Sequence, residues 1–304
     1  HNRIKQQGAA LLIFLVILIL AGLVFLVRWT PKPAGQIDAQ TQATMNQVKQ
    51  ALIAYAARRD ARSTARPGEL PCPDTKALFD VDSGDADFDP ANSGTGDGGC
   101  VGGKVGRVPW RTLGIPRPVD ASGEVLWYAL DGNFRYNNGS VPINTATRGQ
   151  MRVLGDDGSR VLADAVVTVI FAANSPIANQ KRGQDVALCV VRNKVIPQNA
   201  CPDNYLDSQS GVHNGQSTNG QFIQGVIRGT RGETGQAQTP FNDRLMWITA
   251  EDLMPSVEQR VLANVREALS TLPDKPFPAN PNALTYAPDS SRCTGLLPQT
   301  VIDT

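Results

Sequence analysis

Histidine is scarce in this chain. Among 304 residues there are two, His1 at the start and His213 inside a glycine- and asparagine-rich stretch. Histidine is the side chain that most readily changes charge near neutral pH. Its scarcity argues against Ser-His-Asp or Cys-His catalysis and against a multi-histidine metal site. The five cysteines, Cys72, Cys100, Cys189, Cys201 and Cys293, contain no C-x-x-C pair, which argues against a zinc knuckle or a thioredoxin-like centre. Neither sign of charge is in excess: 29 Lys plus Arg stand against 28 Asp plus Glu. That leaves no general electrostatic case for nucleic acid or anionic membrane as a partner. The glycines of GTRGETG (229–235) lack the lysine-serine pair of a phosphate loop, and no helix pattern follows, so phosphate binding is discounted.

What the chain does have is a long apolar run. Residues 9–27, AALLIFLVILILAGLVFLV, carry no charge and no side-chain hydrogen-bonding group. As a helix this run would measure roughly 28 Å, about the thickness of a bilayer's hydrocarbon core. It exceeds the apolar region of a cleaved secretory signal. Arg3 and Lys5 precede it and Arg28-Trp29 follows, so the expectation is a membrane span over 9–29 with the N-terminus in the cytoplasm and the rest exported. Beyond Pro31 and Pro33, a second helix is expected from about Ile37 to Arg59, with Met45, Val48, Leu52, Tyr55 and Ala56 on one apolar face. An exported domain favours disulfides. Cys72 with Cys100 and Cys189 with Cys201 each close a modest loop, leaving Cys293 either free or paired beyond Thr304.

After residue 62 the pattern becomes short strands separated by turns. The segments 123–130, 160–173, 185–191 and 222–228 are rich in Val, Leu and Trp, as strands are. NDRLMWIT (242–249) leads into a last helix, with Thr249 as its start signal and Leu253, Val257, Val261, Val265 and Leu269 recurring every four residues. Pro255 fits that helix only in its first turn. The segment 273–304 has the composition of an extended, proline-rich linker.

The stretch DVDSGDADFDPANSGTGDGGC places Asp80, Asp82, Asp85, Asp87 and Asp89 at near-alternate spacing on a glycine-containing loop, the oxygen chemistry calcium needs. It departs from the EF-hand pattern. The preferred reading is a solvated acidic loop closed by the Cys72–Cys100 bridge, and a calcium site is the alternative. LPCPD (70–74) reads as a rigid turn fixed by a disulfide. VPWRTLGIP reads as a loop over a buried Trp110, with an exposed tryptophan for carbohydrate as the alternative. GVHNGQSTNGQ (211–221) reads as a flexible connection or an interaction surface.

A basic, glutamine-containing leader ending at Gly8, an apolar helix and its amphipathic continuation, then a β-rich domain, together resemble the type IV pilin-like superfamily of pilins, minor pilins and pseudopilins. The blocks LPCPD, Cys100, GRVPWRTLG and TPFNDRLMWITAEDL resemble a group with an LPCPD…C…LPWRTLG signature. The resemblance implies an α+β fold: a long N-terminal transmembrane and spine helix packed on an antiparallel sheet, with a C-terminal helix. It divides the chain into a leader (1–8), the N-terminal helix (9–62), an exported domain (63–272) and the tail (273–304).

The resemblance also implies cleavage by prepilin peptidase between Gly8 and Ala9. Residence in the inner membrane, with the domain in the periplasm, would precede assembly with other pilins or pseudopilins through the helix. Ala21 and Gly22 would allow close approach and Pro31 a bend. Pilins usually carry glutamate where this chain has Ile13, which favours a minor or tip subunit of a pilus or type II secretion pseudopilus. Such a subunit would contact a surface, DNA or secreted cargo and have no small-molecule substrate. The alternatives are a repeating filament subunit and a membrane-tethered periplasmic binding or adhesion module that does not polymerise.

Overall fold

The computed structural model describes residues 13–20, 34–59, 66–77, 80–88, 100, 105–136, 141–177, 180, 182, 189–191, 194–196, 200–216, 218–226 and 240–270. The chain divides into two compact units, residues 1–40 and residues 41–304. In the first, residues 13–20 form helix α1, and every one of these eight apolar side chains is exposed. Helix α2 (Ala34–Arg58) runs across the division.

The second unit is built on a mixed six-stranded sheet. Its strands are β1 (Val105–Arg107), β2 (Trp127–Leu130), β3 (Met151–Leu154), β4 (Val161–Ala172), β9 (Gln221–Ile223) and β10 (Arg244–Thr249). Two small hairpins, β5 (Cys189–Val191) with β6 (Lys194–Ile196) and β7 (Ser208–Gln209) with β8 (Val212–His213), lie outside it. A single helical turn, α3 (Trp110–Leu113), follows β1, and α4 (Ala250–Ser270) follows β10.

β4 organises the sheet. Its residues 168–171 pair with β2, 166–172 with β10 and 161–166 with β3, all antiparallel. β3 in turn pairs with β9 in parallel. Ile248 faces Thr168 but Thr249 faces Val166, so β4 carries an extra residue at Val167. A bulge reverses side-chain parity. Ile170 and Ala172 join one hydrophobic layer and Val169 and Phe171 the other, while before the slip Val167 joins the first and Val166 the second. Ala165 takes a positive φ of 53° just ahead of this point. Burial on both faces explains why 166–173 is apolar at every position but Thr168 rather than alternating.

The first layer brings Met45, Val48, Leu52 and Ala56 of α2 against Tyr128, Leu130, Ile170 and Ile248 of the sheet and Leu253, Met254 and Val257 of α4. Each large side chain buried this way contributes about 1.5–3 kcal/mol. α4 begins on a reciprocal cap, Asp252 N donating to Thr249 Oγ1 at 3.4 Å and Thr249 N to Asp252 Oδ2 at 3.1 Å. Pro255 lies beyond the first turn, inside the helix and exposed.

Two expectations are corrected. The sheet is mixed, because β3 and β9 run parallel, so the antiparallel pilin-like sheet is not what forms. Among the described residues no helix is long and apolar enough to cross a membrane. The expected long transmembrane and spine helix, and with it inner-membrane anchoring, is therefore not supported. α2 has the length, but Asp38, Gln40, Gln42, Gln47 and Lys49 make it too polar.

Candidate functional site

The motif blocks of the sequence converge on one buried carboxylate. The backbones of Asp74 and Arg107 exchange hydrogen bonds at 2.9 and 2.8 Å, tying LPCPD to β1. Asp74 Oδ1 accepts from Lys76 N at 3.0 Å and Oδ2 from Gly84 N at 2.9 Å, with Arg107 Nη2 3.6 Å from Oδ2. Both side chains are 2 % exposed or less. Burial pushes the Asp74 carboxyl up, with Arg107 pulling against it, and burial likewise lowers the Arg107 guanidinium.

From Gly84 the acidic loop locks onto the PWRTLG turn. Arg111 N donates to Gly84 O at 2.8 Å and Ala86 N to Thr112 Oγ1 at 2.8 Å. A methyl group at Gly84, where φ is +95°, would lie 2.3 Å from the Trp110 indole. Trp110 is half-buried against the first layer, with the Arg111 guanidinium 5.0 Å from its ring centroid.

This geometry disperses the acidic set that the spacing brought together. Asp80 and Asp82 are exposed, Asp85 is half-buried, and Asp87 is buried, accepting a hydrogen bond from the Thr75 hydroxyl. Asp89 lies outside the described residues. Among the described residues no group of three or more His, Cys, Asp or Glu side chains is placed to hold a metal. Tight turns explain the dispersal: Ser83 N bonds Asp80 O and Asp85 N bonds Asp82 O, so successive carboxylates leave the chain in different directions.

Cys72 and Cys100 form a disulfide with Cα atoms 5.3 Å apart, holding both ends of this loop. Replacing both by serine is expected to cost about 2–4 kcal/mol, measured by chemical denaturation under non-reducing conditions. Cys201 is also disulfide-bonded. The side chain of Cys189, its expected partner, lies outside the described residues.

A second feature is a pocket of about 480 Å³ lined by Arg66, Asn133, Val141, Thr147, Arg148 and Gln150 among others. Its arginines are already answered. Arg66 stands 3.7 Å from Glu69 and donates to the carbonyls of Asn133, Arg135 and Val141, and Arg148 stands 3.7 Å from Glu251. Glu69 is shared with Arg59 at 3.2 Å, and burial raises its carboxyl. The pocket is polar but close to charge-neutral, so it is not an evident anion site.

The third feature was not foreseen. In GVHNGQSTNGQ, Asn214 is fully buried. Its Nδ2 donates to Ile223 O at 3.1 Å and to Asp243 Oδ2 at 2.9 Å, and its Oδ1 accepts from Ile223 N at 2.8 Å. His213 Nδ1 accepts from Gly215 N at 3.0 Å. The stretch is thus a hairpin end pinned to the sheet. Nothing local in a polar, glycine-rich segment signals burial, because the pinning partners come from elsewhere in the chain.

Of the remaining sites named from the sequence, Ile13 lies in α1 at 62 % exposure. Gly8, Ala9, Ala21, Gly22 and Pro31 lie outside the described residues. Compared with known proteins, the chain matches no family, no curated sequence and no solved structure.

Proposed function

We propose that the chain is a non-catalytic structural subunit of a pilin-like filament, of the type IV pilus or type II secretion pseudopilus kind, in a minor or tip position. One observation carries the reading. From Ile13 to Leu20, α1 presents eight consecutive apolar side chains at 46–66 % exposure. Continuous apolar surface of this kind calls for a partner. Burying it against neighbouring helices would contribute on the order of 5–10 kcal/mol. The leader before it and the LPCPD and PWRTLG blocks after it supply the resemblance, and the apolar Ile13 suits a position with no charge to receive.

The test is a photo-crosslinking residue at Ile17 in the full chain, expressed in its own cells, followed by shearing and analysis of the fibre fraction. A covalent adduct with another pilin-like subunit, at low stoichiometry, is the expected result. A uniform ladder of this chain alone would replace the minor role by a repeating one. Absence from the fibres with no adduct would overturn the proposal and leave a non-polymerising binding module.

A further inference from the structure

Asp207 and Asp243 meet beneath the β7–β8 hairpin, and the donors around them separate their charge states. Asp207 receives three N–H groups: Asn242 N at 2.6 Å and Asp243 N at 3.1 Å on Oδ2, and Gln180 Nε2 at 2.6 Å on Oδ1. Asp243 receives two, both on Oδ2: Asp207 N at 2.8 Å and Asn214 Nδ2 at 2.9 Å. Among the described residues its Oδ1 is buried with no hydrogen-bond partner, and the residue is 0 % exposed. Among the described residues, Arg182 is the cation whose charge acts on both carboxyls. Its guanidinium is spent on the carbonyls of Ala173, Asn174 and Tyr205 and on Glu124, 3.4 Å away. Two adjacent buried carboxylates cannot both ionise cheaply in such a place.

The hairpin end carries a second titratable group. His213 is half-buried beside Asp203, and its Nδ1 can accept from Gly215 N only while that nitrogen is unprotonated. Between the two sites stands Asn214, bonded to Asp243 by its side chain and to Asp207 O by its backbone N–H at 3.0 Å. We propose that the carboxylate pair holds a single proton, on Asp243 Oδ1, and that the Asn214 hairpin is a latch whose opening releases that proton and takes one up on His213.

The direction of the pH dependence follows. Burial holds the Asp243 carboxyl well above its ordinary range, and the Asp207 charge beside it adds to this, so the closed latch loses stability as pH rises toward that elevated value. Burial also raises Asp207. His213 is pushed down by burial, against the opposing pull of Asp203, so the closed latch loses stability as pH falls below the ordinary histidine value. Below about pH 6.5 the two dependences oppose each other, and above it the carboxyl acts alone.

The test is amide hydrogen exchange of the full chain from pH 5 to 9, with protection of Asn214, Gly215 and Ile223 corrected for intrinsic rates. In the unmodified protein, protection should be nearly level below pH 6.5. Above about pH 7 it should fall by up to about tenfold per pH unit, the slope of one linked proton. Asp243→Asn keeps the shape and the neutral charge, so the alkaline slope should vanish and a fall toward acid should be exposed. His213→Gln should extend the alkaline slope below pH 6.5. An alkaline slope that is absent in the unmodified protein, or unchanged in Asp243→Asn, overturns the proposal. Should Asp243→Asn not fold, carboxyl NMR titration of the unmodified protein decides. A midpoint for Asp243 in the ordinary carboxylate range rejects the shared proton, and a raised one upholds it.

Discussion

Asp74→Ala is expected to lower stability by about 3–5 kcal/mol, and so to lower the melting temperature by roughly 8–15 °C for a domain of this size. The substitution removes the acceptor of Gly84 N and Lys76 N and takes the carboxylate charge away from Arg107, which is 2 % exposed and keeps neutral acceptors such as Lys76 O for its guanidinium. Leaving one member of a buried pair uncompensated costs far more than the pair contributes when intact. Asp82→Ala, on the exposed part of the same loop, should stay within about 0.5 kcal/mol. Urea denaturation of the two variants reads the contrast directly, and equal effects would reject the role given to Asp74. The pair can also be broken from the other side. In Arg107→Met the Asp74 carboxyl, already raised by burial, loses the stronger of the two cations that pull it down and keeps Lys76. A group whose folded value is raised loses stability as pH rises toward that value, so this variant should be less impaired at pH 5 than at pH 8.

Gly149→Ala is the second large effect, about 3 kcal/mol or more. A Cβ at Gly149 would lie 2.0 Å from Val166 O and 2.3 Å from its carbonyl carbon. The obstacle is backbone at the bulge of β4, where Val166 pairs with both Met151 and Thr249, so no side-chain rotation relieves it. Asp131 bridges the same junction, its Oδ2 accepting from Gln150 N at 2.9 Å and its backbone N–H bonding Val167 O at 3.0 Å. The expected outcome is early unfolding with loss of the β3 amide protection. A melting temperature within 2 °C of the unmodified protein would show that the crossing has room to shift.

The long or strongly patterned elements were readable in advance. The apolar face through Met45, Val48, Leu52 and Ala56 is the buried face of α2, and the segment 160–173 contains β4. Thr249 is the cap of α4. β1 and β3 leave little pattern in the sequence, because they are three and four residues long and take their stability from a neighbour. Of the strand expected over 222–228, β9 (Gln221–Ile223) forms the start, 224–226 lie beyond it and 227–228 are outside the described residues. Pro255, expected only in a first turn, lies deeper inside α4.

Five buried carboxylates share one property that the sequence does not display. Asp74, Asp87, Asp120, Asp131 and Asp207 are buried acids that accept hydrogen bonds from main-chain amides or hydroxyls of distant loops. Composition and spacing cannot distinguish an acid that ties a loop from one that waits for a cation, since both sit among glycines and turns. Only the donors, which come from elsewhere in the chain, separate the two. Asn214 escaped notice for the same reason.

The position of β4 has a kinetic consequence. It is the common neighbour of β2, β3 and β10, and β10 lies far downstream in the chain. A ribosome-bound chain that has emerged only through β4 can zip β2 and β3 onto it, but its other edge must wait for Arg244–Thr249. Such distant pairing makes closure slow, and the waiting edge, carrying VVTVIFA, is the segment most in need of protection from other chains during synthesis.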